Sequence, residues 1–474
     1  MELAEQNLGY IEQKEQENSN LDIDITFGSL LKFSLPIIFV MVFMGSFAIA
    51  DGVFVSRFID SIAMSAVGLV GPFFTFSMAV GIMFGAGGNA LAGKQIGEGN
   101  VQQARETFSL VVYASFVVTL AITIIAFIFP DIILNILGVD ADVYDLAREY
   151  FMPTIAFVPF MGAGIMFSPF FLTEGKAHYS MLATIFGGLL NIFLTWLVLA
   201  RLHLGLPGAA VTSSLGFSIP AFFGLIYFTV NRKNKTALLY FVKPKLNFSV
   251  ISRSMINGAS ELIGMLSMVV TSTLMNNVLM DLDGPMAVAS MGIVMAMNTT
   301  VTGIFIGYGS GISSLVSYNY GKQDHERLQK IFNKSLMIVS ALAAVAMTIS
   351  WTFTERFIGI YIEPRYQLMY LGGFTMVIPI YEMAFNGIRM FSFGFIFMSI
   401  NALAGIFFTS LNDGIISGTI SFFRSFVFLM GAILILPAIW GIRMVWFTMP
   451  IAELLTIFLT VFFLVRYRKV YHYA

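Results

Sequence analysis

Asp51, in MGSFAIADGVFV, and Glu261, in NGASELIGM, are carboxyls embedded in long apolar runs. Ionisable groups inside a membrane segment are costly and mark proton or ion pathways. A carboxyl in such a place can gain and lose a proton, and so tie a proton gradient to a change of shape. For Asp51 the alternative is a solvated carboxylate at a helix end near the outer surface, with Arg57 close by in sequence. Glu261 lies eight residues beyond Arg253, roughly 12 Å along a helix, which is deep for so short a side chain. Asn257, Glu261, Gly264, Met268, Ser272 and Asn276 recur at steps of three or four, forming one polar or small stripe. The stripe faces a cavity, or it is a helix-packing face held by polar groups. Asn191, in GGLLNIFLTW, has Thr195 one turn later on the same face. That pair lines a hydrogen-bonding site or bonds a neighbouring helix. Pro36, in FSLPIIF, precedes Asp51 by fifteen positions. It removes a helix hydrogen bond and permits a kink that could differ between protonation states, or it shapes only the first turns of its helix.

These residues need a scaffold, and the composition says which kind. The chain is 57% hydrophobic and 11% charged over 474 residues, with a mean hydropathy of +0.83. Soluble domains carry about 25% charged residues; a fold this apolar needs a bilayer as solvent. Apolar runs long enough to span, about 20 residues each, fall at 28–55, 62–90, 107–129, 147–173, 180–200, 208–230, 250–280, 286–316, 331–353, 387–411, 415–437 and 443–465. They predict an all-α membrane protein of about twelve transmembrane helices. All are too long for barrel strands, and barrel alternation is absent. The net charge of −1 gives no reason to expect a nucleic-acid partner. There is no cysteine, and the four histidines are scattered, so no metal or other cofactor is expected. Neither is an enzyme, since no catalytic cluster sits at a membrane boundary.

Lys and Arg in the short loops set orientation. One side carries most of them, including Lys94, Arg105, Lys176, Lys233, Lys322, Arg327, Arg466 and Lys469. That side is expected to be cytoplasmic, with both termini on it, in a bacterial inner membrane. Residues 1–25 read as a polar cytoplasmic tail, with an amphipathic regulatory segment as the alternative. Residues 26–230 read as a first six-helix lobe, 231–249 as a basic linker acting as a hinge, 250–466 as a second lobe and 467–474 as a tail. Residues 366–386 are also apolar; a thirteenth span there would put Arg466 and Lys469 outside, so they are expected to form an outer segment, interfacial or leading into the tenth span. The halves look duplicated. A shift of 224 positions lays AVGLVGP (66–72) on SMGIVMA (290–296) and Gly97 on Gly321; after the third helix the shift becomes 237, and FFLTEGK (170–176) meets FFTSLND (407–413). Six spans per half make the repeat parallel, with room for a substrate cavity between the lobes. Gly81/Gly85 and Gly303/Gly307/Gly311 allow close helix approach. Some of the 29 Met and 49 Phe suit an adaptable hydrophobic pocket, though which ones is open.

LKFSLPIIF followed by ADGVFVSR, then AMSAVGLVGPF, GGNALAGKQIGEGN and GLPGAAVTSSLG, with MGIVMAMN, SYNYGKQD and WGIRMVWFTMPIAELL in the second half, resemble the MATE (multidrug and toxic compound extrusion) family, in its DinF/MepA-like bacterial branch within the MOP flippase superfamily. The resemblance runs over residues 26–468. It implies a two-lobe helical fold and antiport of drugs or organic cations against H⁺ or Na⁺, by a chain expected to work as a monomer among membrane lipids. The family's first-span proline and aspartate match Pro36 and Asp51, its fifth-span Asn matches Asn191, its polar sixth-span position falls on Thr212 or Ser213, and its seventh-span acid matches Glu261. Two features depart from it. Thr195 stands where many members carry a second acid, and the tenth span offers only Glu382, at or before its outer end. The first weakens any carboxylate pair in the first half and the second weakens the case for a sodium site in the second half; H⁺ is expected over Na⁺ as the coupling ion. The alternatives are a lipid-linked precursor flippase, which should carry more basic cavity residues than the main candidate Arg424, and a non-transporting scaffold.

Overall fold

The structure, a computed structural model, describes residues 21–59, 61–234, 236–361, 370–371, 374–375 and 378–474; at 46–57, 61, 370, 371, 374, 375, 378 and 379 it describes the backbone alone. Among these residues ten helices are long and apolar enough to cross a membrane, and two bent pairs bring the number to twelve. Spans 1 to 3 are Phe27–Phe58, Ser61–Gly97 and Val101–Ile128. Span 4 is Tyr144–Ile155 with Val158–Thr173, span 5 runs from Ala177 through a π-helical turn at Leu197–Arg201, and span 6 is Gly205–Val230. The second half repeats the order. Spans 7 to 9 are Phe248–Asp283, Pro285–Gly321 and His325–Thr352, span 10 is Ile378–Ser392 with Phe395–Ser410, span 11 is Gly414–Trp440 and span 12 ends at Tyr471.

Backbone geometry repeats with the offsets of the sequence, to within one position. The left-handed turns at Gly99 and Gln323 lie 224 positions apart, those at Gly175 and Asn412 lie 237 apart, and those at Gly205 and Gly441 lie 236 apart. Short helices follow the third span of each half, at Pro130–Ile136 and Thr354–Tyr361. Spans 4 and 10, which read as single runs in the sequence, are bent by 58° and 51°. Pro159, one of the first residues of the second segment of span 4, has no N–H to continue the ladder. In span 10 the break falls at Gly394, where a Cβ would stand 3.2 Å from the Pro450 Cα of span 12. Residues 370–371 and 374–375 pair as a minimal hairpin. Residues 378–386 then form the start of span 10, so the apolar stretch 366–386 leads into that span; the rest of it lies largely outside the described residues.

The apolar cores show how the halves meet. One core lies wholly in the first half and includes Ala66, Phe74, Phe151 and Leu206. A second lies wholly in the second half and includes Met291, Phe305, Ile388 and Trp446. Both are toward the side poor in Lys and Arg. The largest core, toward the basic side, is shared: Phe84, Phe108, Phe167 and Phe228 belong to the same cluster as Tyr308, Leu315, Phe332 and Phe407. The halves are therefore joined at their basic ends and have separate cores at the other. Small residues make the junction tight. A Cβ on Gly87 would come 1.9 Å from the Ser254 carbonyl oxygen, and one on Gly258 would come 1.9 Å from that of Met83. Gly307 and Gly311 of span 8 lie against Ile38 and Ser34 of span 1, the close approach their spacing predicts.

The linker is fastened rather than loose. Arg105 donates to the carbonyls of Leu238 and Ala237 at 3.1 and 2.7 Å, and Val242 N–H donates to Ser109 Oγ at 3.0 Å. Leu239, fully buried, donates its N–H to Glu174 Oε2 at 2.7 Å. The segment expected to act as a hinge is thus docked on the first half through residues 237–242, while 243–249 are exposed. On the opposite flank, Asp22 just ahead of span 1 pairs with Arg327 and Lys322 of the second half.

Candidate functional site

A cavity of about 290 Å³ lies between the halves, directly above the basic-side junction. Span 1 contributes Ile37, Met41, Phe43 and Met44; spans 2, 4, 5 and 6 contribute Met78, Ser168, Thr184 and Phe217. From the second half come Glu261 and Met265 on span 7, Ser310 and Ser313 on span 8, and Thr409 on span 10. The walls are mostly apolar, with four methionines whose unbranched thioethers adapt to varied shapes. Among the lining residues Glu261 is the only ionisable one. It is half-buried and has no hydrogen-bond or ion-pair partner among the described residues. When ionised, this carboxylate in an apolar chamber would favour a cationic guest over a neutral one of the same shape.

The other residues singled out in the sequence divide. Asn191 is 1% exposed, and neither its Oδ1 nor its Nδ2 has a partner among the described residues. It packs against Gly216, a cavity-wall residue, whose Cβ would stand 2.6 Å from that of Asn191. Buried amides are rarely left unpaired, so Asn191 is a polar group set immediately behind the wall. Thr195 and Thr212 bond each other at 2.8 Å between spans 5 and 6, the helix-bonding alternative rather than a cavity position. Ser213 is buried in the same contact region and does not line the cavity. Asn257 donates to the Thr409 carbonyl at 2.9 Å, so this end of the stripe packs against span 10. Met268 is 48% exposed and Ser272 half-buried, and neither lines the cavity. The stripe separates because span 7 buries a different line, through Ser260, Ser267, Thr271 and Met275. Pro36 sits in a helix that continues through it from Phe27 to Phe58. The side chain of Asp51 lies outside the described residues.

Two polar clusters emerge that single-helix periodicity cannot show. Beneath the cavity, Asn89 Nδ2 donates to Ser314 Oγ at 3.1 Å, and Thr173 donates its hydroxyl proton to Asn89 Oδ1 at 2.5 Å while its oxygen lies 2.8 Å from the same Ser314 oxygen. This joins spans 2, 4 and 8 across the two halves. Inside the second half, Arg424 donates to Glu453 Oε1 through Nε at 2.8 Å and lies 2.7 Å from it through Nη2. Asn401 Nδ2 donates to Glu453 Oε2 at 2.7 Å, and Thr460 donates to Asn401 Oδ1 at 2.8 Å. Arg424 belongs to the π-helical turn Phe423–Leu429. The acid in MPIAELL was the available signal for Glu453; its partners lie on other spans and leave no local pattern.

A family profile, MatE, matches residues 36–197 and 262–434. The chain belongs to the MatE family. The profile matches once in each half, as expected of a duplicated member of this family. Among relatives, the chain is 24% identical over 443 residues to the multidrug export protein MepA of Staphylococcus haemolyticus strain JCSC1435, covering 94% of both chains. It is 23% identical over 371 residues to MepA of Staphylococcus aureus strain MRSA252, covering 78% of this chain and 80% of that one. Among solved structures, a multidrug resistance MATE family transporter in an outward-facing conformation superposes with a TM-score of 0.84 at 18% identity, covering 96% of this chain and 98% of that one. A MOP superfamily transporter from Pyrococcus furiosus does so with 0.84 at 19% identity, covering 94% and 97%. The two-lobe, twelve-span family architecture is therefore this chain's architecture, and the protein is a multi-pass membrane protein.

Proposed function

We propose that this MatE-family protein is a multidrug efflux transporter that exports amphipathic organic cations by alternating access, coupled to H⁺. The observation that carries this is Glu261, an unpaired acid in an apolar, methionine-lined cavity shared by both halves. The names of the MepA relatives point the same way. The uneven cores support alternating access: the halves are sealed at one end and separate at the other, as one end state of a rocking pair would be. The basic loops make the sealed end cytoplasmic, which puts both termini inside. The proposed working unit is a monomer.

H⁺ is favoured over Na⁺ because Glu453, an acid inside the second half, is already held by Arg424 and Asn401. That leaves Glu261 facing the cavity and Asp51, on span 1, as the second proposed proton carrier. Arg424 also bears on the flippase alternative. The basic residue that could have drawn an anionic substrate is engaged inside its own half.

Proteoliposomes with imposed gradients test this. A pH gradient should drive efflux of a cationic dye, and a Na⁺ gradient alone should not. Glu261→Gln should weaken binding of the cationic dye at least tenfold (about 1.4 kcal/mol) while a neutral analogue of similar shape binds as before. Equal loss for both dyes would remove the charge-recognition role, and efflux driven by Na⁺ but not H⁺ would reject the coupling assignment.

A further inference from the structure

Away from the central cavity, a groove of about 600 Å³ opens on the flank of the first half, at the basic ends of spans 5 and 6. Its deeper wall is apolar: Phe223, with Ile226 at 67% and Val230 at 57% exposure. Its rim is polar, with Asn231, Lys233 and Asn234. Tyr179 and Tyr227 stand between these zones, with ring centroids 5.3 Å apart. From Phe223 to Lys233 the helical rise is roughly 15 Å, enough to pass from the acyl region to the headgroups of one leaflet. Lys233 is exposed and has no ion-pair partner among the described residues. An apolar slot facing the bilayer with a free ammonium at headgroup depth matches one occupant, an anionic phospholipid. A cationic drug would meet Lys233 as a like charge, and a partner helix would leave it unneutralised.

The groove shares a wall with the clasp on the linker. Asn231, 8% exposed, donates through Nδ2 to Glu174 Oε1 and to the Leu239 carbonyl, both at 3.0 Å. The other oxygen of Glu174 accepts from Leu239 N–H. We propose that the groove binds an anionic phospholipid of the leaflet on the basic side, with an acyl chain along Phe223, Ile226 and Val230 and the phosphate at Lys233. Its occupancy braces Asn231, and through it the clasp that holds the inter-lobe linker on the first half. Lipid headgroup charge thereby acts on the connection between the halves from outside the transport pathway.

Native mass spectrometry of the full chain, from micelles containing equal phosphatidylglycerol and phosphatidylcholine, tests the site. The wild type should retain phosphatidylglycerol preferentially. Lys233→Gln should reduce that retention about fivefold, the loss expected of one basic residue near an anionic headgroup. Ile226→Trp, at a position exposed enough to keep the fold, should fill the slot and reduce it as well. Lys469→Gln, an equally basic site at the end of span 12, should leave it unchanged. Wild-type retention in Lys233→Gln, or an equal loss in Lys469→Gln, would overturn the site. For the bracing, hydrogen exchange at the Leu239 amide should be slower in nanodiscs of phosphatidylglycerol than of phosphatidylcholine. Equal exchange in the two, with the lipid still retained, would overturn the link to the linker.

Discussion

Removing one member of the Arg424–Glu453 pair should destabilise the second half far more than removing both. Glu453 is 2% exposed in its side chain and Arg424 22%. Glu453→Leu leaves a guanidinium that cannot shed its proton, and it frees Asn401 Nδ2 from its 2.7 Å bond to Oε2 while that group keeps a 3.0 Å bond to the Glu453 carbonyl. Breaking a buried pair from one side costs about 3–5 kcal/mol, and losing the Asn401 bond adds about 1 kcal/mol. Arg424→Met should be milder, since the remaining carboxylate keeps Asn401 and can take up a proton. The double substitution Arg424→Met/Glu453→Leu removes both charges and should fall within about 2 kcal/mol of the wild type, as apolar replacement of a whole buried pair often does. The coupling energy of the cycle is then at least about 2 kcal/mol. Reversible unfolding in mixed micelles, followed through tryptophan fluorescence, supplies the four stabilities. Additive single effects, with the double variant the least stable of all, would refute the claim that spans 10, 11 and 12 are held as one ionic unit.

Two further predictions concern the basic-side ends of the lobes. Burial lifts the Glu174 carboxyl to about 7, against the opposing pull of Asn231, the Leu239 and Leu238 N–H groups and Arg105. Because the folded value lies above the ordinary 4.5, this group's contribution is full below pH 4.5, falls as pH rises and is lost above 7, by roughly 3 kcal/mol at most. Thermal unfolding against pH should show that slope in the wild type and a flatter one in Glu174→Gln; an unchanged slope would assign the titration elsewhere. Gly258→Ala places a Cβ 1.9 Å from the Met83 oxygen, so spans 2 and 7 must part by about 1.5 Å to reach van der Waals contact. Since the chain has no cysteine, Ser317→Cys, buried at the junction, reports the parting. A water-soluble maleimide should label it faster in the Gly258→Ala background, and equal rates would show that the junction does not open there.

The spans and the duplication are legible in the sequence because a bilayer fixes helix length and every apolar run must meet it. The bends in spans 4 and 10 are not, because hydropathy averages over the single Pro159 or Gly394 that breaks the ladder. Glu261 is legible as a lone acid whose neighbours on the helix cannot pair with it. Thr195 and Thr212 read equally well as cavity residues or helix glue, and only the 2.8 Å bond between them decides. The same limit hides the Asn89–Thr173–Ser314 cluster and the partners of Glu453, since each joins three segments far apart in sequence. The linker's basic charge suggests a free hinge; its docking depends on Arg105 and Glu174, which nothing local to residues 231–249 announces.

The placement of the two clusters has a consequence for how the halves can move. Polar contacts beneath the cavity are neutral: Asn89, Thr173 and Ser314 exchange hydroxyl and amide bonds, each worth about 1 kcal/mol net because water can replace the partner; the ion pairs of Asp22 with Arg327 and Lys322 lie apart from them, at the partly exposed basic-side surface. Around them the spans meet through glycine and serine, with little side chain to disentangle. Contacts inside the second half are ionic and closed, with both oxygens of Glu453 accepting, and opening them to the bilayer would strand charge. With a closed ionic network inside one half and neutral, water-replaceable bonds beneath the cavity, the halves would separate most easily along the plane that contains the cavity. Rocking at that plane would break neutral bonds beneath the cavity and strain the partly exposed Asp22 pairs at the surface, while the Arg424 network would move with its half intact. The reverse arrangement, a charged clamp across the junction beneath Glu261, would have tied the lobes in one state.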